Sequence, residues 1–533
     1  MADVKEGRIL VPEEKLREKV LEGARAAYDA AATSYGPKGK NVILEKGFGR
    51  PIFTRDGITI LRDVFFSDRA KNFGAQIIIE ASETSNRIAG DGSTAVALLA
   101  YHLYNNAVKA VAAGQHPMDV SAQLTADSFV LLDELKKKVV AVKDEQLKDV
   151  ASVSAGDPLI GELIADAILY VGQDGGILTE KAPISEIERE YVDGYYLQSG
   201  FTALQAGKKE LVDPFVIVSS KRLTSNADAV DILNAIADLK LNPQQRQIPR
   251  ILFVGNIEDA AYNTIVNTLN QGQIDAIIVK TPPMYGELGK YLLEDIATYA
   301  NCLPITESTS LKQISDEYIG TIDKVVANKN ETTLFADNET QAVIDRIAKI
   351  KDQIKTEDVP AVAEKLKDRV AKLEGKIAIF KIGAPTDSTR EELEFRIEDA
   401  INSTRHAYAE GIVPGGGVTL LELSKLDEIS DITREALHST FKQLLINANT
   451  NHVSYRRWWQ FYKPIMSVNI NEVLQAPIGY GYNLKKSDKL VDVIKDGVVD
   501  PYVVVREVIT HASGVAAETI KVGLGVIFEN TEK

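Results

Sequence analysis

The spacing of apolar residues changes character along this chain, and that change restricts it to a multidomain fold of mixed α+β and α/β class. Near the start, Ala24, Ala26, Ala27, Ala30, Ala31 and Ala32 fill a helical run that breaks at Tyr35-Gly36-Pro37-Lys38-Gly39. Residues 41–44 and 58–61 are short β-branched runs that read as strands, with the turn Thr54-Arg55-Asp56-Gly57 between them. Helical spacing covers 77–114, with one interruption at Gly90-Asp91-Gly92-Ser93-Thr94, where Ser93 or Thr94 is placed to cap the following helix. From about 185 to 310 the pattern switches to apolar runs at 215–218, 251–254 and 277–279, alternating with helical segments. Residues 339–376 read as an antiparallel pair of charged helices turning at Pro360. A helix over about 388–410 then leads into Gly411, Gly415, Gly416 and Gly417, and helices predominate beyond.

Length and charge remove several classes of function. At roughly 150 residues per domain, 533 residues allow three or four domains. Lys and Arg number 61 against 76 Asp and Glu, a net charge of −15, which argues against a nucleic-acid partner. Cys302 is the only cysteine and the six histidines are scattered, so neither a disulfide nor a Cys/His metal cluster is expected. The charged start lacks an apolar signal core, and no apolar run approaches the ~18–20 residues of a membrane span. A soluble, cytoplasmic protein without a membrane partner is expected.

Two segments have the makings of a phosphate site, which needs close backbone N–H donors and gains from a helix N-terminus. They are residues 36–39 and 90–94; neither fits the P-loop pattern. Asp91 adds a hard oxygen ligand suited to Mg²⁺. Taken singly, each feature has a commonplace reading. Asp56 is an ordinary Asp-Gly turn residue, Asp399 a carboxylate on a solvated helix face, and residues 415–417 a flexible connector or a surface of close approach.

In order along the chain, these motifs resemble the signatures of a group I, GroEL-like chaperonin. They are residues 35–39, Arg55-Asp56-Gly57, residues 90–94, residues 112–119, Ile397-Glu398-Asp399-Ala400, Pro414 to Gly417, Gly481-Tyr482-Asn483 and Asp500-Pro501. The resemblance implies a divergent member with a helical equatorial domain (1–137 and 411–533), a small intermediate domain (138–192 and 376–410) and an α/β apical domain (193–375). It implies an ATP-dependent molecular chaperone that encloses non-native polypeptides in a ring cavity. The cofactors implied are ATP and Mg²⁺, with K⁺ left open. Ser34, Tyr35, Gly36 and Pro37 would line the phosphate and base side, and Arg55 stands where the family usually has lysine. Asp91 would hold Mg²⁺, and Gly92, Ser93 and Thr94 would donate to phosphate, while Ala95 replaces a common hydroxyl residue. Gly416 would approach the ribose or base, Asn483 and Lys485 the adenine, and Asp500 the ribose hydroxyls. Asp56 and Asp399 would orient and activate the hydrolytic water.

The same resemblance places polypeptide binding on Tyr196, Leu197, Phe201, Val230, Leu233, Ile265 and Val266, with Gly200 where an aromatic is usual. It implies unfolded clients, a homo-oligomer of one or two seven-membered rings and a lid co-chaperonin. Its location would be the cytoplasm, or the host cytoplasm for a virus-encoded member. Two departures stand out: the glycine/methionine-rich tail is absent, and 447–479 is long and carries an aromatic and basic run at 455–463 with both tryptophans. That run reads either as a subunit or ring contact, since interfaces favour Trp, Tyr and Arg together, or as a surface loop folded back on its own equatorial domain. The alternative reading is a chaperonin-like assembly scaffold with slow or absent ATP turnover. A third, a soluble kinase, lacks a locatable acceptor pocket.

Overall fold

The computed structural model describes residues 8–45, 51–172, 175–182, 184, 186–197, 199–200, 209–240, 248–280, 287–329, 331–336, 340–356, 360–448, 469–486 and 489–528. Phe201 and the aromatic-basic run at 455–463 lie outside them. The described residues form two compact units, one from Met1–Asp166, Lys181–Ile187 and Ile382–Lys533, the other from Ala167–Glu180 and Glu188–Lys381.

In chain order the first unit opens with β1 (Arg8–Pro12), α1 (Glu13–Ala32), β2 (Val42–Leu44), β3 (Ile52–Thr54) and α2 (Gly57–Arg62). Next come α3 (Arg69–Ala89), α4 (Ser93–Ala112), α5 (Pro117–Lys137), α6 (Asp144–Ala155) and α7 (Pro158–Val171), whose residues from Ala167 onward belong to the second unit. The second unit carries β4 (Gly176–Lys181), β5 (Ile187–Asp193), β6 (Tyr195–Leu197), β7 (Lys209–Val212), β8 (Phe215–Leu223), α8 (Asn226–Lys240), β9 (Arg250–Ile257) and α9 (Asp259–Asn270). It continues with β10 (Asp275–Val279), α10 (Glu287–Tyr299), β11 (Gly320–Thr321), β12 (Lys324–Ala327), β13 (Thr332–Phe335), α11 (Gln341–Thr356), α12 (Pro360–Glu374) and β14 (Lys376–Ile382). The chain then returns to the first unit through α13 (Asp387–Glu410), β15 (Ile412–Pro414), α14 (Val418–Leu423), α15 (Asp431–Ala436), α16 (Ser439–Asn447) and α17 (Ile470–Gln475). It closes with β16 (Tyr480–Tyr482), β17 (Leu490–Asp492), β18 (Val499–Pro501), α18 (Tyr502–Ile520) and β19 (Leu524–Phe528).

The first unit is organised around α18, which packs on α3, α4 and α5. Val505, Val508, Ile509, Ala512, Ala516, Ala517 and Ile520 make it apolar on most sides, as a helix surrounded by others must be. The alanine run of α1 serves a close crossing with α3. A Cβ on Gly23 would stand 1.8 Å from the Lys71 carbonyl oxygen, and one on Gly74 would stand 1.9 Å from that of Val20. Backbone against backbone leaves no room for a side chain at either glycine. Farther along, α6 packs on α13.

Residues 58–61 form a helix, not the strand expected from their β-branched run. The cause is Asp56, whose carboxylate accepts from the Ile58 N–H (3.4 Å), the Thr59 N–H (2.8 Å) and the Thr59 hydroxyl (2.5 Å). That cap starts α2, and β2 pairs instead with β3, setting Ile43 opposite Phe53.

In the second unit, β10, β9 and β8 are parallel and β11 is an antiparallel edge. Alternate residues of the sheet face opposite ways: Val216, Val218, Leu252 and Val254 pack with α10, while Ile217, Ile251 and Phe253 pack with α8 and α9. Both faces are covered, which is why these strands read as unbroken apolar runs. A second sheet has the order β6-β13-β12-β7. The pair α11 and α12 also packs together, as its spacing predicts.

This packing corrects three of the expected polypeptide-binding positions. Ile265 is fully buried under the sheet, on the inward face of α9 with Ala261. Tyr196 and Leu197 are buried in β6, where they pair with Thr333 and Thr332 of β13. Of the rest, Val230 is exposed, and Leu233 and Val266 are half-buried.

Candidate functional site

A cavity of about 500 Å³ opens in the first unit, within the size range of ligand pockets. Its walls include Ser34, Tyr35, Gly36, Pro37, Arg55, Asp56, Asp91, Gly92, Ser93, Thr94, Asp399, Gly416, Asn483, Lys485 and Asp500. The structure therefore gathers every residue that the sequence motifs suggest for a nucleotide site, from segments more than 400 positions apart.

The phosphate-type corner is the start of α4. Its N-cap is Gly92, with φ +89°, and no side chain caps the helix; Ser93 and Thr94 lie inside the first turn instead. A Cβ at Gly92 would meet Val504 at 2.8 Å, so the left-handed turn and the close packing on α18 both require glycine. The first-turn N–H groups of a 20-residue helix lack intrahelical partners and carry the positive end of its dipole. An anion is the natural partner for such an end.

Four carboxylates surround this corner. Asp91 accepts from the Gly92 N–H (2.5 Å) through Oδ1 and from the Ser154 hydroxyl (2.9 Å) through Oδ2. Those two bonds favour its charge, yet burial outweighs them and, helped by the Asp56 charge, raises its proton affinity. Burial first, then the charges of Asp91, Asp56 and Glu398, holds Asp399 well above the usual carboxylate range. Asp500 is pushed up to about 7 by burial and by Asp91, against a stabilising bond from the Gly416 N–H. The antiparallel pairing of β15 with β18 sets Val413 opposite Asp500 and so brings Asp500 beside the residue 415–417 turn. Burial and the charges of Asp500 and Asp91 also raise the Tyr35 phenol.

Carboxylates that oppose one another's ionisation fit a cation placed among them. Among the described residues, no group of three or more His, Cys, Asp or Glu side chains is arranged to hold a metal ion alone. A divalent ion here would need oxygen ligands from a bound phosphate as well, which is how Mg²⁺ is commonly held.

The cavity also carries basic groups. Arg55 donates from Nη2 to the Gly36 carbonyl (2.9 Å), and burial followed by the Arg396 charge lowers its proton affinity. Lys485 is lowered by burial first, with Asp157 opposing and Arg55, Lys38 and Arg396 adding to the effect. Its ammonium lies 3.4 Å from the Gly156 carbonyl. Asn483 lines the cavity, but its amide donates to the Asp496 carboxylate (2.6 Å) and its oxygen accepts from the Lys485 N–H (3.1 Å). It fixes the loop where the motif suggested a free adenine contact.

Three contributors carry no sequence signal. Ser154 comes from α6, outside any motif. Asn447 donates to the carbonyls of Ala32 and Tyr35, both at 2.8 Å, and so holds the turn after α1. Arg396 lines the cavity one helical turn before Asp399. Only the folded chain brings these side chains to the site.

A helical unit assembled from both chain ends, bearing a glycine-framed acidic cavity and interrupted by an α/β unit, is the plan of a chaperonin subunit. Residues 28–523 match the TCP-1/cpn60 chaperonin family, and the chain belongs to that family. It is similar in fold to the chaperonin gp146 from the bacteriophage EL 2 (Pseudomonas aeruginosa), crystallised in the presence of ATP-BeFx. Against crystal form II the TM-score is 0.71 at 19% identity, covering 98% of this chain and 100% of that one. Against crystal form I it is 0.62 at 19% identity, covering 97% and 99%.

Proposed function

We propose that this chaperonin hydrolyses ATP to drive the capture and enclosed folding of non-native polypeptides. The observation that carries the reading is the convergence of Asp56, Asp91, Asp399 and Asp500 on the uncapped N-terminus of α4 in one cavity. Asp91 is the residue that would hold Mg²⁺, which when bound neutralises charge on phosphate oxygens. Gly92, Ser93 and Thr94 bind the phosphates, and Gly416 and Asp500 form the ribose side. Asp399, whose proton affinity is raised, is a stronger base toward a water proton than an exposed aspartate, and Asp56 orients that water. K⁺ remains a candidate second ion at the same phosphates.

The chain works as three domains: equatorial 1–137 and 411–533, intermediate 138–192 and 376–410, and apical 193–375. Assembly into a ring is supported by two open-edged, two-stranded sheets with exposed apolar pairs. Leu10 faces Val526 across β1 and β19, and Ile43 faces Phe53 across β2 and β3; all four are at least half exposed. A neighbouring copy can cover both. Val230, Leu233 and Val266 remain as the client surface, and a lid co-chaperonin would compete for it. No described helix is long and apolar enough to cross a membrane; a cytoplasmic location is supported by the family to which the chain belongs, and the acidic net charge argues against a nucleic-acid partner.

The test is ATP-dependent refolding of a denatured client by the purified assembly, with phosphate release followed in parallel. Refolding that stops when ATP is withheld supports the reading. Assembly without turnover or refolding would leave the protein a scaffold.

A further inference from the structure

We propose that Arg396 contacts the terminal phosphate of the bound nucleotide, carried to it on the same helix as Asp399. The inference rests on the nucleotide reading above and deepens it. Arg396 precedes Asp399 by three residues on α13, so the two side chains project from neighbouring positions on one helical face, and both line the cavity. One turn farther back, Glu392 stands 3.6 Å from Arg396 Nη1, a loose pairing. Arg396 Nε is buried and has no acceptor among the described residues.

Arg55, from a distant part of the sequence, shows the same deficit. Its Nη2 is engaged by the Gly36 carbonyl, but its Nε is likewise buried without an acceptor. The Arg396 charge is near enough to lower the proton affinity of Arg55, with the Glu392 carboxylate opposing it. Holding like charges together with unmade hydrogen bonds is unfavourable in the empty chain. It becomes favourable when an anion with several oxygens sits between them, because guanidinium offers a planar fork of donors that matches phosphate. Lys485 is not that partner, since its ammonium is turned to the Gly156 carbonyl.

The position also fits the chemistry. On the nucleotide reading, the α4 N-terminus and Asp91 would fix one end of a phosphate chain and Asp56 and Asp399 would orient the attacking water; all of them line the one cavity with Arg396. In phosphoryl transfer, charge spreads over the oxygens of the terminal group, so a cation there stabilises the transition state more than the ground state. Delivery on α13 places that cation and the water-activating carboxylate together.

The experiment compares wild type with Arg396→Ala, Arg396→Lys and Arg396→Gln in the assembled full chain. It reads phosphate release with Mg-ATP and equilibrium binding of Mg-ATP and Mg-ADP. Arg396→Ala is expected to lower kcat by roughly 10²-fold or more and weaken ATP binding, with ADP binding within about twofold of wild type. Arg396→Lys should recover part of the rate, Arg396→Gln none, and added guanidinium should raise the rate of Arg396→Ala. Wild-type turnover in Arg396→Ala, or equal losses for ADP and ATP, overturns the assignment. Wild type that neither binds nor hydrolyses ATP overturns the nucleotide reading itself.

Discussion

Replacing Asp399 by asparagine keeps the shape of the side chain and removes both its charge and its capacity to take a proton. In the structure this carboxylate is disfavoured as an anion chiefly by burial and then by Asp91, Asp56 and Glu398. Two effects of opposite sign follow. Loss of the base should slow turnover by roughly 10²- to 10⁴-fold, or about 3–5 kcal/mol at the transition state. Loss of the charge relieves repulsion around Asp91 and leaves the anionic nucleotide one fewer carboxylate to face, so Mg-ATP should bind as tightly as in wild type or more tightly. The assay is steady-state phosphate release paired with equilibrium binding of Mg-ATP, with native mass to confirm assembly. A wild-type rate would refute the role of Asp399 in activating water. A large loss of ATP affinity would show instead that the carboxylate holds the nucleotide or its metal, and the repulsion argument would fall.

Ser154→Ala removes the hydroxyl that fixes Asp91 Oδ2; a Mg²⁺ titration of ATPase activity should shift by roughly 10- to 100-fold, the usual effect of losing a partner behind a metal ligand. Gly23→Ala places a Cβ 1.8 Å from a backbone oxygen, and the forced separation of α1 from α3 should cost at least about 1–3 kcal/mol, read as a lower Tm. Val230→Ser with Val266→Ser should weaken capture of a denatured client at unchanged Tm, whereas Ile265→Ser should destabilise the α/β unit by about 2–5 kcal/mol in a urea titration. Equal behaviour of the two would mean that the described burial does not govern this surface.

Legibility from sequence followed the range of the interaction involved. The α4 corner was legible because glycines on either side of Asp91 permit one local backbone path. The parallel sheet was legible because burial on both faces leaves unbroken apolar runs. At α2 the β-branched residues pointed to a strand, and a local cap by Asp56 decided otherwise. In α9 the adjacent Ile265 and Val266 are equally apolar, and only packing against the sheet tells which one faces inward. Ser154 and Asn447 act across long separations in sequence, so no neighbouring pattern could announce them, whereas Arg396 directly precedes the 397–400 motif and reads there as an ordinary charge on a helix. The start of α4 is a related case: a hydroxyl at that point suits a helix cap, yet Ser93 and Thr94 lie inside the first turn and no side chain caps the end.

The packing of α6 on α13 bears on how the cavity can fail. One helix brings the hydroxyl that steadies Asp91, the other the Arg396 and Asp399 side chains. Because the two lie against each other, a displacement of either would, on the proposed roles, carry away the hydroxyl that steadies Asp91 together with the Arg396 and Asp399 side chains. Partial competence is then hard to reach, and the helix pair behaves as a single key: fully seated, or absent from the lock.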